Sequence, residues 1–211
     1  MSPTRAATPR PPGTRARLIE CAIELFAENG YEGTSVGEIE DAAGLAPRSG
    51  ALYKHFPSKR ALLGAALAER MDAIDRIDER MDLLPLGDVG AELTMIGRLA
   101  LRELESERQL ARIVMKEGDR FPEIAADFHD AIVARGRSLA ITWVTTRARA
   151  LGIVPADAEA TAEVMADALI GRALQSFMFG ERLGRVDEGR FLAAWVELAR
   201  TQFESKEGND D

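Results

Sequence analysis

Gly44 stands between two short apolar-periodic segments, and this arrangement restricts the fold more than any other feature of the chain. Ahead of it, Ser35 and Glu38 have capping-box spacing at the head of a short helix with Val36, Ile39, Ala42 and Ala43 inward. Behind it, Leu52 and Phe56 lie four residues apart on one helical face, until Pro57 interrupts and Ser58 is placed to cap a further helix. Two short helices separated by a glycine turn, the second basic, form the pattern of a helix-turn-helix. The second can begin in two ways. Either Pro47 is its first residue, where a missing N–H is harmless, or Ser49 caps a shorter helix after a longer turn.

Charge sharpens the pattern. From Ala46 to Arg60 the chain carries Arg48, Lys54, Lys59 and Arg60 and no acid, although its formal net charge is -8. Residues 1–60 hold eight Lys/Arg against seven Asp/Glu, whereas the remainder holds 19 against 28. One end can approach a polyanion while the rest forms an acidic body. With Leu52 and Phe56 inward, the helical angle turns Pro47, Gly50, Ala51, Tyr53 and Lys54 outward or to the flank. Gly50 and Ala51 would let the backbone approach a groove, and Lys54 can reach a phosphate. At the next helix start, unsatisfied N–H groups and Lys59 predict a phosphate clamp.

The rest of the chain reads as helix. Residues 1–13 hold four prolines, Arg5 and Arg10, and predict a disordered basic arm. Thr14 is placed to cap a helix with Leu18, Cys21, Ala22, Leu25 and Phe26 at helical spacing, closing at Asn29-Gly30. The helix from Ser58 is expected to reach Met81 and stop near Leu84-Pro85. Asp88 heads one with Leu93, Ile96, Ala100 and Leu104, and a short one with Leu110, Ile113 and Val114 stops at Gly118. Phe121-Pro122 opens a long helix that closes at Leu151-Gly152. Pro155 begins another through Phe177, and Asp187 precedes a last one bearing Phe191, Trp195 and Leu198. The expected fold is all-α: a three-helix domain over 14–60, a larger helical domain over 61–205 and an acidic tail over 206–211.

Taken together, Gly30-Tyr31, Thr34-Ser35-Val36 leading to Ile39, Ala43-Gly44-Leu45, Gly50-Ala51-Leu52-Tyr53-Lys54-His55-Phe56 and Ser58-Lys59 resemble the DNA-binding domain of the TetR/AcrR family of bacterial transcriptional regulators. The resemblance covers about residues 14–62. Between Gly44 and Leu52 the chain looks two residues longer than the commonest family pattern. The resemblance implies that Thr34 or Ser35 touches a phosphate and that Arg48, Ser49, Gly50 and Ala51 lie in or beside the major groove. It also implies that Tyr53 and His55 meet the backbone, Lys59 holds a phosphate, and Leu52 and Phe56 are structural.

It further implies a homodimer joined through the last two long helices, for which Ala166, Gly171, Ala173, Phe177 and Trp195 are the candidate interface, reading a palindromic operator in double-stranded DNA. The middle helices would enclose a pocket for a small apolar or amphipathic effector. Met95, Met115, Phe121, Phe128, Trp143, Met165 and Phe177 are its candidate lining, with Arg112 or His129 as polar contact. Such a protein would be a repressor, not an enzyme, with no cofactor. A helical protein-interaction or ligand-sequestering module is the competing expectation.

Chemistry of other kinds has little support in the residues. His55 and His129 have no Cys or His neighbour at metal-ligand spacing, and no phosphate loop, nucleophile elbow or zinc-protease motif occurs, so neither catalytic nor metal residues are expected. The single Cys21 excludes an intrachain disulfide. Without a long apolar run or a secretory apolar segment, the expectation is a cytoplasmic protein with no membrane contact.

Overall fold

Local capping explains where most helices begin. In the computed structural model, which describes residues 13–74, 87–154, 157–180 and 186–204, Ser35 Oγ accepts the Glu38 N–H at 3.2 Å while Glu38 Oε2 accepts the Ser35 N–H at 2.6 Å. This closes the capping box at the head of α2 (Val36–Ala42). Ser58 Oγ accepts the Ala61 N–H at 3.0 Å at the start of α3 (Lys59–Ile74). Asp88, Asp157 and Asp187 cap α4 (Val89–Ser106), α8 (Ala158–Phe179) and α9 (Glu188–Arg200) in the same way. The sequence-predicted helix end near Leu84-Pro85 and start at Pro155 lie outside the described residues, as do residues 1–12 of the basic arm expected over 1–13.

Helix α1 (Thr14–Gly33) departs from expectation at both ends. Gly13, not Thr14, occupies the capping position, and no side chain bonds there. Gly30 takes φ 79°, breaking α1 before a last turn through Gly33. A side chain at this position would be strained by the backbone and would also press on Glu117 Oε1.

Leu18, Ala22 and Phe26 of α1, Ile39 of α2, Leu52, Phe56, and Leu62, Leu63 and Ala66 of α3 form one core. Leu110 and Ile113 of α5 (Arg108–Glu117), with Phe121 and Ile124 at the head of α6 (Pro122–Phe128), complete it. The N-terminal three-helix end therefore shares its core with the helices that follow.

The long helix expected over 122–151 forms, but with a change of register. Between α6 and α7 (Arg135–Ala150), His129–Ala134 form a π-helical segment, with Phe128, His129, Ala134 and Arg135 all keeping right-handed helical dihedrals. The helix thus continues through the segment with an altered register, a distortion periodicity alone does not reveal.

A second core joins α4, α7, α8 and α9 through Leu93, Trp143, Val144, Ala162, Met165, Leu169, Leu192 and Trp195. Gly97 allows α4 and α9 to meet: a Cβ there would overlap Leu192 and lie 3.1 Å from Trp195 Cζ3. Beside the contact, Glu92 is fully buried. Its Oε2 accepts the Trp143 indole N–H at 3.2 Å and faces Arg147 Nε at 3.4 Å, which gives this buried acid polar partners on α7. Among the described residues no strand occurs, and no helix is long and apolar enough to cross a membrane.

Candidate nucleic-acid interface and apolar chamber

The basic segment is a shaped turn rather than a full second helix. After α2, Arg48 adopts the left-handed region at φ 60° and Gly50 at φ 72°, which excludes a helix beginning at Pro47. Ser49 Oγ accepts the Ala51 N–H at 3.3 Å, and a 3₁₀ turn follows over Leu52–Lys54. The Ser49 alternative is therefore nearer to what forms. Tyr53, Lys54 and His55 bond back to the carbonyls of Gly50, Ala51 and Leu52.

Leu52 is fully buried and Phe56 nearly so, fixing the turn's inner face. Its outer face presents Pro47, Arg48, Ser49, Lys54 and His55, all exposed, and Tyr53, which is 58 % exposed. Gly50 and Ala51 are half-buried between them, and Ser35 is exposed at the head of α2. Cations, hydroxyls and an aromatic ring thus share a surface suited to phosphate and base edges.

Two expected contacts have their polar atoms bonded within the protein. Thr34 is 1 % exposed, with its hydroxyl 2.9 Å from the Gly30 carbonyl and 3.1 Å from that of Leu25, so it closes α1. Lys59 Nζ donates to the carbonyls of Tyr31 at 2.5 Å and Thr34 at 2.8 Å, and lies 4.1 Å above the Tyr31 ring. A cation near terminal carbonyls satisfies acceptors that the end of a helix leaves unpaired. The lysine read as a phosphate clamp instead ties α3 to the end of α1.

In the C-terminal half, α4, α7 and α8 leave a chamber of about 150 Å³ between them. Ile96, Leu99, Ala100 and Leu104 wall it from α4; Gly136, Leu139, Ala140 and Trp143 from α7; and Met165, Ala166, Leu169 and Ile170 from α8. Trp195 of α9 closes one side, and Ala131 and Ile132 of the π segment another. Glu103 and Arg135 are the charged residues at the wall.

Of the candidate lining residues, the structure brings Trp143 and Met165 to this chamber. Phe121 belongs to the first core, 5.0 Å edge-on to Tyr31, and Phe128 packs against that core. Phe177 packs with Ala111 and Ala173 under the Arg108 guanidinium. Met95 is half-buried away from the wall, while Arg112, Met115 and His129 are exposed. Large apolar residues alone do not mark the chamber, because most of the candidates fill cores instead. The missed signal is the set of small residues Ala100, Gly136, Ala140 and Ala166, which leave space where larger side chains would close it.

The interface candidates need a similar correction. Ala173, Phe177 and Trp195 are buried within the protomer, Trp195 Nε1 donating to the Met165 carbonyl at 3.0 Å, and Ala166 lines the chamber. Gly171 is half-exposed, with open space where a Cβ would stand.

Residues 18–66 match the family described as bacterial regulatory proteins, tetR family, and residues 91–199 match the AefR-like transcriptional repressor C-terminal domain. The transcriptional regulator UidR of Escherichia coli K12 is 29 % identical over 172 residues, covering 79 % of each chain. The transcriptional repressor KstR2 of Rhodococcus jostii is 43 % identical over 60 residues, 28 % of each chain. The crystal structure of FadR from Bacillus subtilis in complex with stearoyl-CoA shares the fold, with a TM-score of 0.59 at 16 % identity over 87 % of this chain and 96 % of that one. With one region of the family matched at the basic turn and its core, and another over more than half of the chain around the chamber, this protein belongs to the TetR family of DNA-binding transcriptional regulators.

Proposed function

We propose that the protein is a cytoplasmic repressor that binds a palindromic operator as a homodimer and is released when a small apolar or amphipathic effector enters the chamber. The observation that carries this reading is the position of Ile132, which lines the chamber and also packs against the core of the DNA-binding end. An occupant that moves this wall acts on both regions. It shifts the equilibrium only as far as it prefers the conformation that cannot bind operator.

The chamber's size and chemistry indicate the effector. A cavity of about 150 Å³ matches one that accepts a single aromatic ring, whereas sites for larger ligands run from about 300 Å³ upward. A ring or short acyl group fits without rearrangement, and a longer chain must displace the wall. KstR2 is named as a repressor and FadR is seen with stearoyl-CoA, both in keeping with this action.

The dimer face we assign is the exposed apolar side of the last two helices: Val164, Ala168, Gly171 and Met178 on α8, with Ala194 and Leu198 on α9. DNA contacts fall to Ser35, Arg48, Ser49, Gly50, Ala51, Tyr53, Lys54 and His55, with Pro47 at the edge. Footprinting of the chain's own upstream region over a salt series tests the whole reading. A symmetric protected site whose affinity falls steeply with salt is expected; no protection even at low salt would refute it.

A further inference from the structure

Glu40 is fully buried in α2, yet its carboxylate has one hydrogen-bond partner: Oε1 accepts the Leu52 N–H at 2.9 Å, while the equally buried Oε2 has none. A buried acid with half its acceptor capacity unmet is an unfavourable choice for a core position. Apolar residues would pack there at lower cost. What the acid does supply is an acceptor for the N–H that opens the 3₁₀ turn, a group the turn's own bonds leave unpaired and which lies beside the fully buried Leu52.

The same face of α2 holds the front of the turn. Gly37, one helical turn before Glu40, lies under Arg48: a Cβ on Gly37 would stand 3.4 Å from Arg48 Cγ and 3.9 Å from its backbone nitrogen. Between these two points the chain runs through the left-handed Arg48 and Gly50, a stretch with few backbone bonds of its own. Its shape depends on what holds its two ends.

We propose that Glu40 is a positioning residue for operator recognition, setting through the Leu52 N–H the placement of Arg48, Ser49 and Tyr53 without touching DNA. This rests on the reading of residues 47–55 as the DNA-contacting surface. With few backbone bonds of its own between Leu45 and Leu52, the turn has conformations that only such a tie excludes. Loss of the tie lowers specific affinity more than non-specific affinity. Phosphate attraction survives a displaced turn, whereas base contacts require registry.

The test compares full-length wild type, Glu40→Gln and Glu40→Ala by operator titration, by titration of a scrambled duplex, and by hydrogen exchange of peptides spanning residues 50–56. Glutamine retains an acceptor for the Leu52 N–H and is expected to keep operator affinity within about threefold of wild type. Alanine is expected to lose tenfold or more on operator and less than threefold on scrambled DNA, with faster exchange over 50–56. Rescue by glutamine separates an acceptor role from simple filling of the core. Equal losses for both variants, or wild-type exchange and affinity for Glu40→Ala, would overturn the proposal. If wild type binds neither duplex, the DNA surface itself is misassigned, and exchange over 50–56 still decides whether Glu40 holds the turn.

Discussion

At single residues, the structure reassigns groups according to what already occupies their polar atoms. Lys59 has the identity and helix-start position of a phosphate ligand, but its ammonium is bonded to the Tyr31 and Thr34 carbonyls. Lys59→Met, which keeps the stem over Tyr31, is expected to lower stability by about 1–3 kcal/mol, since hydrogen bonds from a charged donor are lost. Thermal unfolding measures this. An unchanged melting temperature, with the salt slope of DNA binding reduced by about one, would return Lys59 to the phosphates. Glu38 behaves oppositely: the Ser35 backbone N–H, then the Ser35 hydroxyl, holds its carboxyl below the usual carboxylate range. A depressed folded-state value gives stabilisation that is complete above the unfolded-state value near ~4.3 and disappears as pH falls through the folded one. Wild type is therefore expected to lose more stability than Glu38→Gln on acidification below about pH 4. Equal losses in denaturant titrations would contradict this. The capping pair was legible in the sequence because both partners lie within one turn. The partners of Lys59 were not, because they lie 25 and 28 residues away.

Among elements, spacing located helices better than it located their faces. Ser58, Asp88 and Asp187 mark observed helix starts, since a cap acts locally. The longer turn after Gly44 is one of the two starts the residues allow, and the nearer to what forms, whereas periodicity does not reveal the π segment. The same limit explains the interface assignment: Phe177 and Trp195 are apolar at helical spacing, but that property does not say whether the neighbour is the same chain or another. Burial decides it. Val164 and Leu198 are 70 % and 73 % exposed, whereas Trp195 is 6 % exposed. Val164→Glu and Leu198→Glu are expected to yield folded monomers, with helical content and melting behaviour close to those of a dissociated wild-type protomer. Trp195→Ala should instead destabilise the protomer itself by about 3–5 kcal/mol. Sedimentation velocity with circular dichroism distinguishes the two classes, and a dimeric Leu198→Glu protein at micromolar concentration would move the interface elsewhere.

Across the whole molecule, the proposed action of the chamber on the basic turn needs a connection between the two, and α5 is bonded to the end of α1. Lys116 Nζ donates to the Ala27 and Glu28 carbonyls at 2.7 and 2.9 Å, and Glu117 Oε1 accepts the Tyr31 N–H at 2.8 Å. These bonds grip α1 on either side of the Gly30 break, while Arg120 pairs with Glu32 and Arg60 with Glu123 around them. The two ion pairs are exposed and contribute little; the bonds between the charged Lys116 and Glu117 side chains and backbone groups of α1 are charge-assisted and hold more firmly. On the proposed function, an effector that displaces the π segment, and α5 with it, would move α1, and through α1 the turn packed on α2. Glu117→Ala cuts this connection at Tyr31 while leaving every chamber wall in place. Effector affinity measured by calorimetry without DNA is expected to stay within about twofold. The reduction in operator affinity at saturating effector should shrink severalfold, because coupling between sites is a free energy separate from binding at either one. A variant that releases operator as fully as wild type would show that the signal bypasses α5, leaving the contact between the π segment and α3 as the route.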